Sequence, residues 1–254
     1  MLNTKLWWSA LLLLILAIGV QASYIIGPPP AIFPSTSTPV FIQAATPNAS
    51  GSSTTSSSSF SALPVIAHAV MVGVTTVSGT IATQQLSTVS DNQGNTYSRM
   101  TDAGGNTTNT HGSWWCGVVT VSSGTFTVTV TNLAAVFQGI LPLEYSGMSC
   151  NQDRNANAIT STSPYNCGSI TTVNAKDVVF AFFALADGGG APNPVTYTPS
   201  AGFTIRSSLT DANKIPIGSV ADDVVSTAGT FTPTMTSNTA SANNPCITVA
   251  MLSK

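Results

Sequence analysis

Residues able to move protons, hold metals or attack carbonyl groups are scarce in this 254-residue chain. Histidine occurs twice, at His68 and His111, and glutamate once, at Glu144. With nine Asp+Glu in all, the other eight acids are aspartates scattered along the sequence. Glycosidase chemistry needs two carboxylates across a cleft, and a hydrolase nucleophile needs an adjacent base. No GxSxG elbow is present, and two histidines are few bases for so many serines. The expectation is therefore a protein that is not an enzyme and carries no cofactor. His68, in an apolar run, reads as a packed core residue, and His111 as part of a polar loop.

Three acidic segments invite a metal reading. Asp91-Asn92-Gln93-Gly94-Asn95 offers oxygens, but Asp followed by Gly in that spacing is the pattern of a hairpin turn. Asp153-Arg154-Asn155-Ala156-Asn157 places oxygens at positions 1, 3 and 5 of a calcium-type loop. It has Ala158 where such a loop needs Gly and Pro164 where it needs a bidentate acid, and Arg154 opposes a cation. Asp222-Asp223 on a strand would point to opposite faces, one of them solvated. No metal site is expected. Only seven Lys+Arg exclude a phosphate-binding surface, and with it a nucleic-acid partner.

Trp114-Trp115 is the remaining candidate for recognition. Neighbouring strand residues face opposite ways, so one indole enters the core while the other looks outward; its being covered by a loop or a neighbouring subunit is the favoured reading, and stacking on a sugar ring beside His111 or Tyr97 is the alternative. Sequons at Asn48-Ala49-Ser50 and Asn106-Thr107-Thr108 are candidate glycosylation sites beside the Ser/Thr run 52–59.

The elements that must carry these residues begin with an export signal. Lys5 precedes an apolar stretch from Leu6 to Val20, and Val20-Gln21-Ala22 offers small residues for cleavage after Ala22. The run is short for a membrane span, so cleavage is preferred to a retained anchor, and no membrane span is expected afterwards. All four cysteines (Cys116, Cys150, Cys167, Cys246) follow it, an even number consistent with disulfides in a secreted, extracellular chain. Three connectivities are possible. Cys150–Cys167, closing a short polar loop, is favoured, which leaves Cys116–Cys246 to join two strand-like segments. Residues 23–38 form a proline-stiffened tail that also carries Tyr24, Ile25, Ile26, Ile32 and Phe33, more apolar surface than a spacer needs.

From residue 39 the apolar period is two. Phe126-Thr127-Val128-Thr129-Val130-Thr131 alternates without error, and 40–44, 69–74, 114–119 and 246–251 read similarly. Val178–Leu185 is apolar on both faces and predicts a central, doubly covered strand. Pro142 predicts an edge or a bulge. About ten short strands between Gly/Asn turns predict an all-β, two-sheet antiparallel β-sandwich of jelly-roll or immunoglobulin-like type, as one domain over 39–254.

Residues 87–97, Ser-Thr-Val-Ser-Asp-Asn-Gln-Gly-Asn-Thr-Tyr, resemble the "VTDSQGNTY" hairpin of a group of secreted bacterial and archaeal β-sandwich domains. Ser113-Trp114-Trp115-Cys116, Phe126–Val130 and Glu144-Tyr145-Ser146-Gly147-Met148 are similar, in order, to that group's "WYA", "TVTV" and "EYSG" segments. Gly202-Phe203-Thr204 and the last strand correspond too, so the likeness covers roughly residues 40–254. It implies a jelly-roll or immunoglobulin-like sandwich of the kind found on surface proteins; the cysteines lie outside the pattern. In plan (signal, tail, low-charge sandwich) the chain is similar to donor-strand thread and pilus subunits of archaea and bacteria. Two functions are expected from this. The first is a structural surface protein that self-associates into a homopolymeric filament, Tyr24, Ile25, Ile26, Ile32 and Phe33 forming the donor strand. The alternative is an adhesive or carbohydrate-binding module with surface glycans as partners, using Trp114 or Trp115.

Overall fold

The computed structural model describes residues 37–77, 87–104, 110–185, 193–211, 216–239 and 244–254. The tail residues Tyr24, Ile25, Ile26, Ile32 and Phe33 and the sequon Asn106 lie outside them. Among the described residues there are seventeen strands and no helix, more strands than the ten anticipated. Much of the excess consists of two- and three-residue pieces in small sheets, too short to leave a periodic signal.

One sheet comprises β1 (Val40–Ala44), β2 (Asn48–Ser59), β3 (Ala69–Val77), β4 (Thr88–Asp91), β5 (Tyr97–Ala103), β6 (Thr110–Val118) and β7 (Thr127–Ser146). Its order is β1-β7-β3-β6-β5, with β2 and β4 also paired to β7. The second runs β13-β14-β11-β17-β8, formed by β8 (Met148–Thr160), β11 (Val178–Leu185), β13 (Thr204–Leu209), β14 (Ile217–Val224) and β17 (Asn244–Ser253). Small sheets join β9 (Tyr165–Asn166), β12 (Tyr197–Pro199) and β16 (Thr234–Ser237), and β10 (Ile170–Thr171) and β15 (Thr230–Phe231).

The core between the two main sheets follows from alternation. Ala69 and Met71 of β3, Trp114 and Cys116 of β6, and Leu141, Leu143 and Tyr145 of β7 turn one way, onto Phe180, Phe182, Ile247 and Val249. The Trp114 ring stacks on Phe182 at 5.5 Å. A Cβ on Gly73 would lie 2.8 Å from that indole, so glycine is what admits the ring. β11, in the middle of its sheet, is buried on both faces; Phe183 on its far side stacks on Tyr165 of β9 at 4.5 Å.

The other face of the first sheet is covered as well. Val70, Val72, Val74 and Trp115 turn outward and meet Phe60, Val89, Phe126, Val128 and Val130. This second core exists because β7 is twenty residues long and serves two layers. Its first residues, 127–131, pair with β2 and β4, while 137–145 pair with β3. The strand folds its own beginning over the sheet to which its end belongs. Pro142 accordingly lies in an interior strand, not at an edge. Its carbonyl accepts from Ala45 N, just past the end of β1 and before β2 begins at Asn48, so its missing N–H faces the gap between two partner strands.

The disulfides are Cys116–Cys150 and Cys167–Cys246, not the favoured pairing. Sequence proximity is a poor guide here because Cys150 sits on β8 and faces the first sheet, where β6 presents Cys116. Cys167, two residues beyond Tyr165, is carried back over the second sheet to β17. Both bonds point to an oxidising environment. No described helix is long and apolar enough to cross a membrane.

Candidate functional site

The sole glutamate is wholly buried on β7. Its Oε1 accepts from Val65 N at 2.8 Å and lies 2.6 Å from His68 Nδ1, and its Oε2 accepts from Gln43 Nε2 at 2.7 Å. His68 is thus a half-buried partner of a carboxylate, not an apolar core residue as anticipated. The reason is the turn before β3, where Ala67 at φ 70° brings the imidazole back over β7. Burying a carboxylate is tolerable only when donors surround it. This one has three, and through them it ties residues 62–68 and strand β1 to β7. Gln43 Nε2 also donates to Ala62 O at 3.0 Å. Replacing the carboxylate with an amide, Glu144→Gln, is expected to cost about 2 kcal/mol, the worth of a hydrogen-bond set to a charged group. The unfolding midpoint in urea would fall accordingly; an unchanged midpoint would show that the clamp contributes nothing.

Around this clamp the surface is apolar. Val40 and Ile42 of β1 and Leu63, Val65 and Ile66 of the adjoining turn range from 44% (Ile42, Leu63) to 59% (Ile66) exposed. Among the described residues β1 pairs only with β7, so its outer side is a sheet edge. A bulge between Phe41 and Gln43 leaves Ile42 unpaired and turns it outward. The other terminal strands carry bulges too, at Met100 on β5, Arg206 on β13 and twice on β8. Such irregularities prevent indiscriminate strand pairing.

The remaining sequence candidates resolve one by one. Asp91 closes the expected turn. Its Oδ1 accepts from Gln93 N (2.9 Å) and Asn95 N (3.1 Å), and its Oδ2 from Asn95 Nδ2 (3.0 Å) and the Tyr97 hydroxyl (3.0 Å). Gly94 supplies the turn's positive φ of 84°. Burial, then the Asp91 charge and hydrogen bond, hold the Tyr97 phenol far above its ordinary pKa. Asp222 and Asp223 do face opposite ways. Asp222 is buried, accepting from Tyr145 Oη and Arg206 Nε at 2.6 Å each, and the guanidinium lies 4.6 Å over the Phe41 ring. That network joins β7 and β1 of one sheet to β13 and β14 of the other, and no local pattern announces it. Burial chiefly, then the Asp222 charge, raises the Asp223 pKa.

His111 is not in a loop but in β6, buried, with Nε2 3.6 Å from Asp102 Oδ2. Burial, the largest influence, lowers its pKa. Asp102 in turn pairs with Arg99 at 3.2 Å. Neither indole is a surface platform. Trp114 is in the main core and Trp115 in the second, its Nε1 donating to Ser113 Oγ at 2.9 Å. The alternation of the two rings is as anticipated, but the folded-over part of β7 and its partners cover the outward one. The Asn48 amide nitrogen donates to Ser57 O at 2.9 Å within β2.

No known protein family matches the chain, and neither curated proteins nor solved structures yield a match. Its sites are therefore read on their own chemistry.

Proposed function

We propose that this chain is an exported structural protein of the cell surface whose copies join into filaments, the N-terminal segment of one copy adding to the sheet edge of the next. One observation carries the reading: the exposed apolar strip of Val40, Ile42, Leu63, Val65 and Ile66 along the edge strand β1. A free edge offers unpaired main-chain N–H and C=O groups, and apolar side chains beside it add the contact area that makes pairing specific. Residues 23–36 carry a matching complement in Tyr24, Ile25, Ile26, Ile32 and Phe33. The bulge at Ile42 favours a donor with side chains suited to the strip over a strand of arbitrary sequence. A head-to-tail contact of this kind does not close on itself and so propagates a fibre. With only seven Lys+Arg and nine Asp+Glu, stacked copies repel one another little.

Electron microscopy of the exported protein tests this. Filaments are expected from the full chain and discrete particles from a variant lacking residues 23–36. Ile42→Lys, which places a charge in the strip, is expected to shorten or abolish them. Filaments that persist without the tail, or particles alone from the intact chain, would overturn the proposal.

A further inference from the structure

A second feature lies where β8 and the start of β11 flank β17. Asp153 falls in a bulge of β8, between Gln152 and Arg154, each of which pairs with β17. Its side chain is 5% exposed, and its Oδ2 accepts from Val173 N at 2.9 Å. Asp177 immediately precedes β11, on the other side of β17, and is 0% exposed. Neither oxygen of Asp177 has a hydrogen-bond partner of good geometry. The two carboxyl groups approach each other within hydrogen-bonding range, with the Ser253 amide beside Asp177.

Two buried carboxylates in contact need a positive charge between them or a shared proton. The Arg154 guanidinium supplies little of the former. It is 3.9 Å from Asp153 Oδ1, its side chain is 55% exposed, and its Nη1 donates instead to the Asp153 carbonyl at 3.0 Å. We propose that Asp153 and Asp177 form a binding site for a divalent cation of the calcium class. The orphaned oxygens of Asp177 and Oδ1 of Asp153 would be its protein ligands and water would complete the shell. An all-oxygen, irregular donor set suits calcium, which accepts six to eight such ligands in flexible geometry, better than it suits zinc or magnesium. Arg154, with a long exposed stem, can swing its head to solvent as the ion enters.

The site also explains why the calcium-like spacing at Asp153, Asn155 and Asn157 leads nowhere locally. Asn155 is exposed, the Asn157 amide donates to Asp102 O, and the second acid comes from another strand. A bound ion would fasten β8, a terminal strand, to the segment entering the central strand β11.

Calorimetric titration of the chelator-treated full chain with calcium chloride tests the site. One saturable site is expected, at least tenfold weaker in Asp177→Asn, together with a melting temperature that rises with calcium in the wild type and not in the variant. Should Asp177→Asn fail to fold, Asp153→Asn is expected to show the same loss. Absence of saturable binding at millimolar calcium would overturn the proposal and leave a shared proton as what reconciles the two acids. Undiminished calcium affinity in the substituted chain would overturn it equally.

Discussion

Reducing both disulfides is expected to remove about 8 kcal/mol of folding free energy, on loop-closure costs of roughly 4 kcal/mol for each bond. The loops they close span 34 and 79 residues. Total stabilities of domains are about 5–15 kcal/mol, so the reduced chain should be marginal or unfolded at physiological temperature. Two features make the effect large here. Cys116–Cys150 joins the two main sheets, and Cys167–Cys246 holds the segment that carries Tyr165 over the outer face of β11. Urea unfolding with and without dithiothreitol, with thiol alkylation confirming reduction, measures the effect. Equal midpoints would show that the bonds are ornamental. Peptide mapping without reduction should recover Cys116 with Cys150, and Cys167 with Cys246.

The second large effect concerns the tryptophans. Trp114→Ala is expected to destabilise the protein by about 4 kcal/mol, the cost of emptying a large aromatic site in a packed core. The ring is wedged between Phe180 and Phe182 at 5.2 and 5.5 Å and lies over Gly73, so its neighbours have little room to collapse inward. A chain beginning at residue 23 retains Trp114 and Trp115 as its only tryptophans, so its emission reports on both. It should be blue-shifted and resist quenching by iodide until the protein unfolds. Ready quenching in the native state would restore an exposed indole and with it the idea of a sugar-stacking surface.

How far local chemistry reaches is visible in individual elements. Val178–Leu185 is a doubly covered central strand because eight successive apolar residues with β-branched and aromatic side chains permit little else. The turn at Asp91 was equally legible, since a short carboxylate followed by Gly94 closes on its own backbone. The clamp at Glu144 was not: its three partners come from positions 43, 65 and 68 and nothing in their spacing links them. The Arg206–Asp222–Tyr145 network escaped for the same reason.

Alternating apolar and polar residues thus settle that the chain forms strands, which side of each strand is greasy, and that its ionisable groups are few. Those properties are written within a few residues, where backbone sterics and the two-residue repeat operate. Which strand lies beside which was decided only by long-range packing. The twenty-residue β7 folds over its own sheet, which buries Trp115, puts Pro142 in an interior strand and opens a second core. The way the layers stack then selects the cysteine pairing and brings Asp153 against Asp177, contacts between residues that share no neighbourhood until the sheets close.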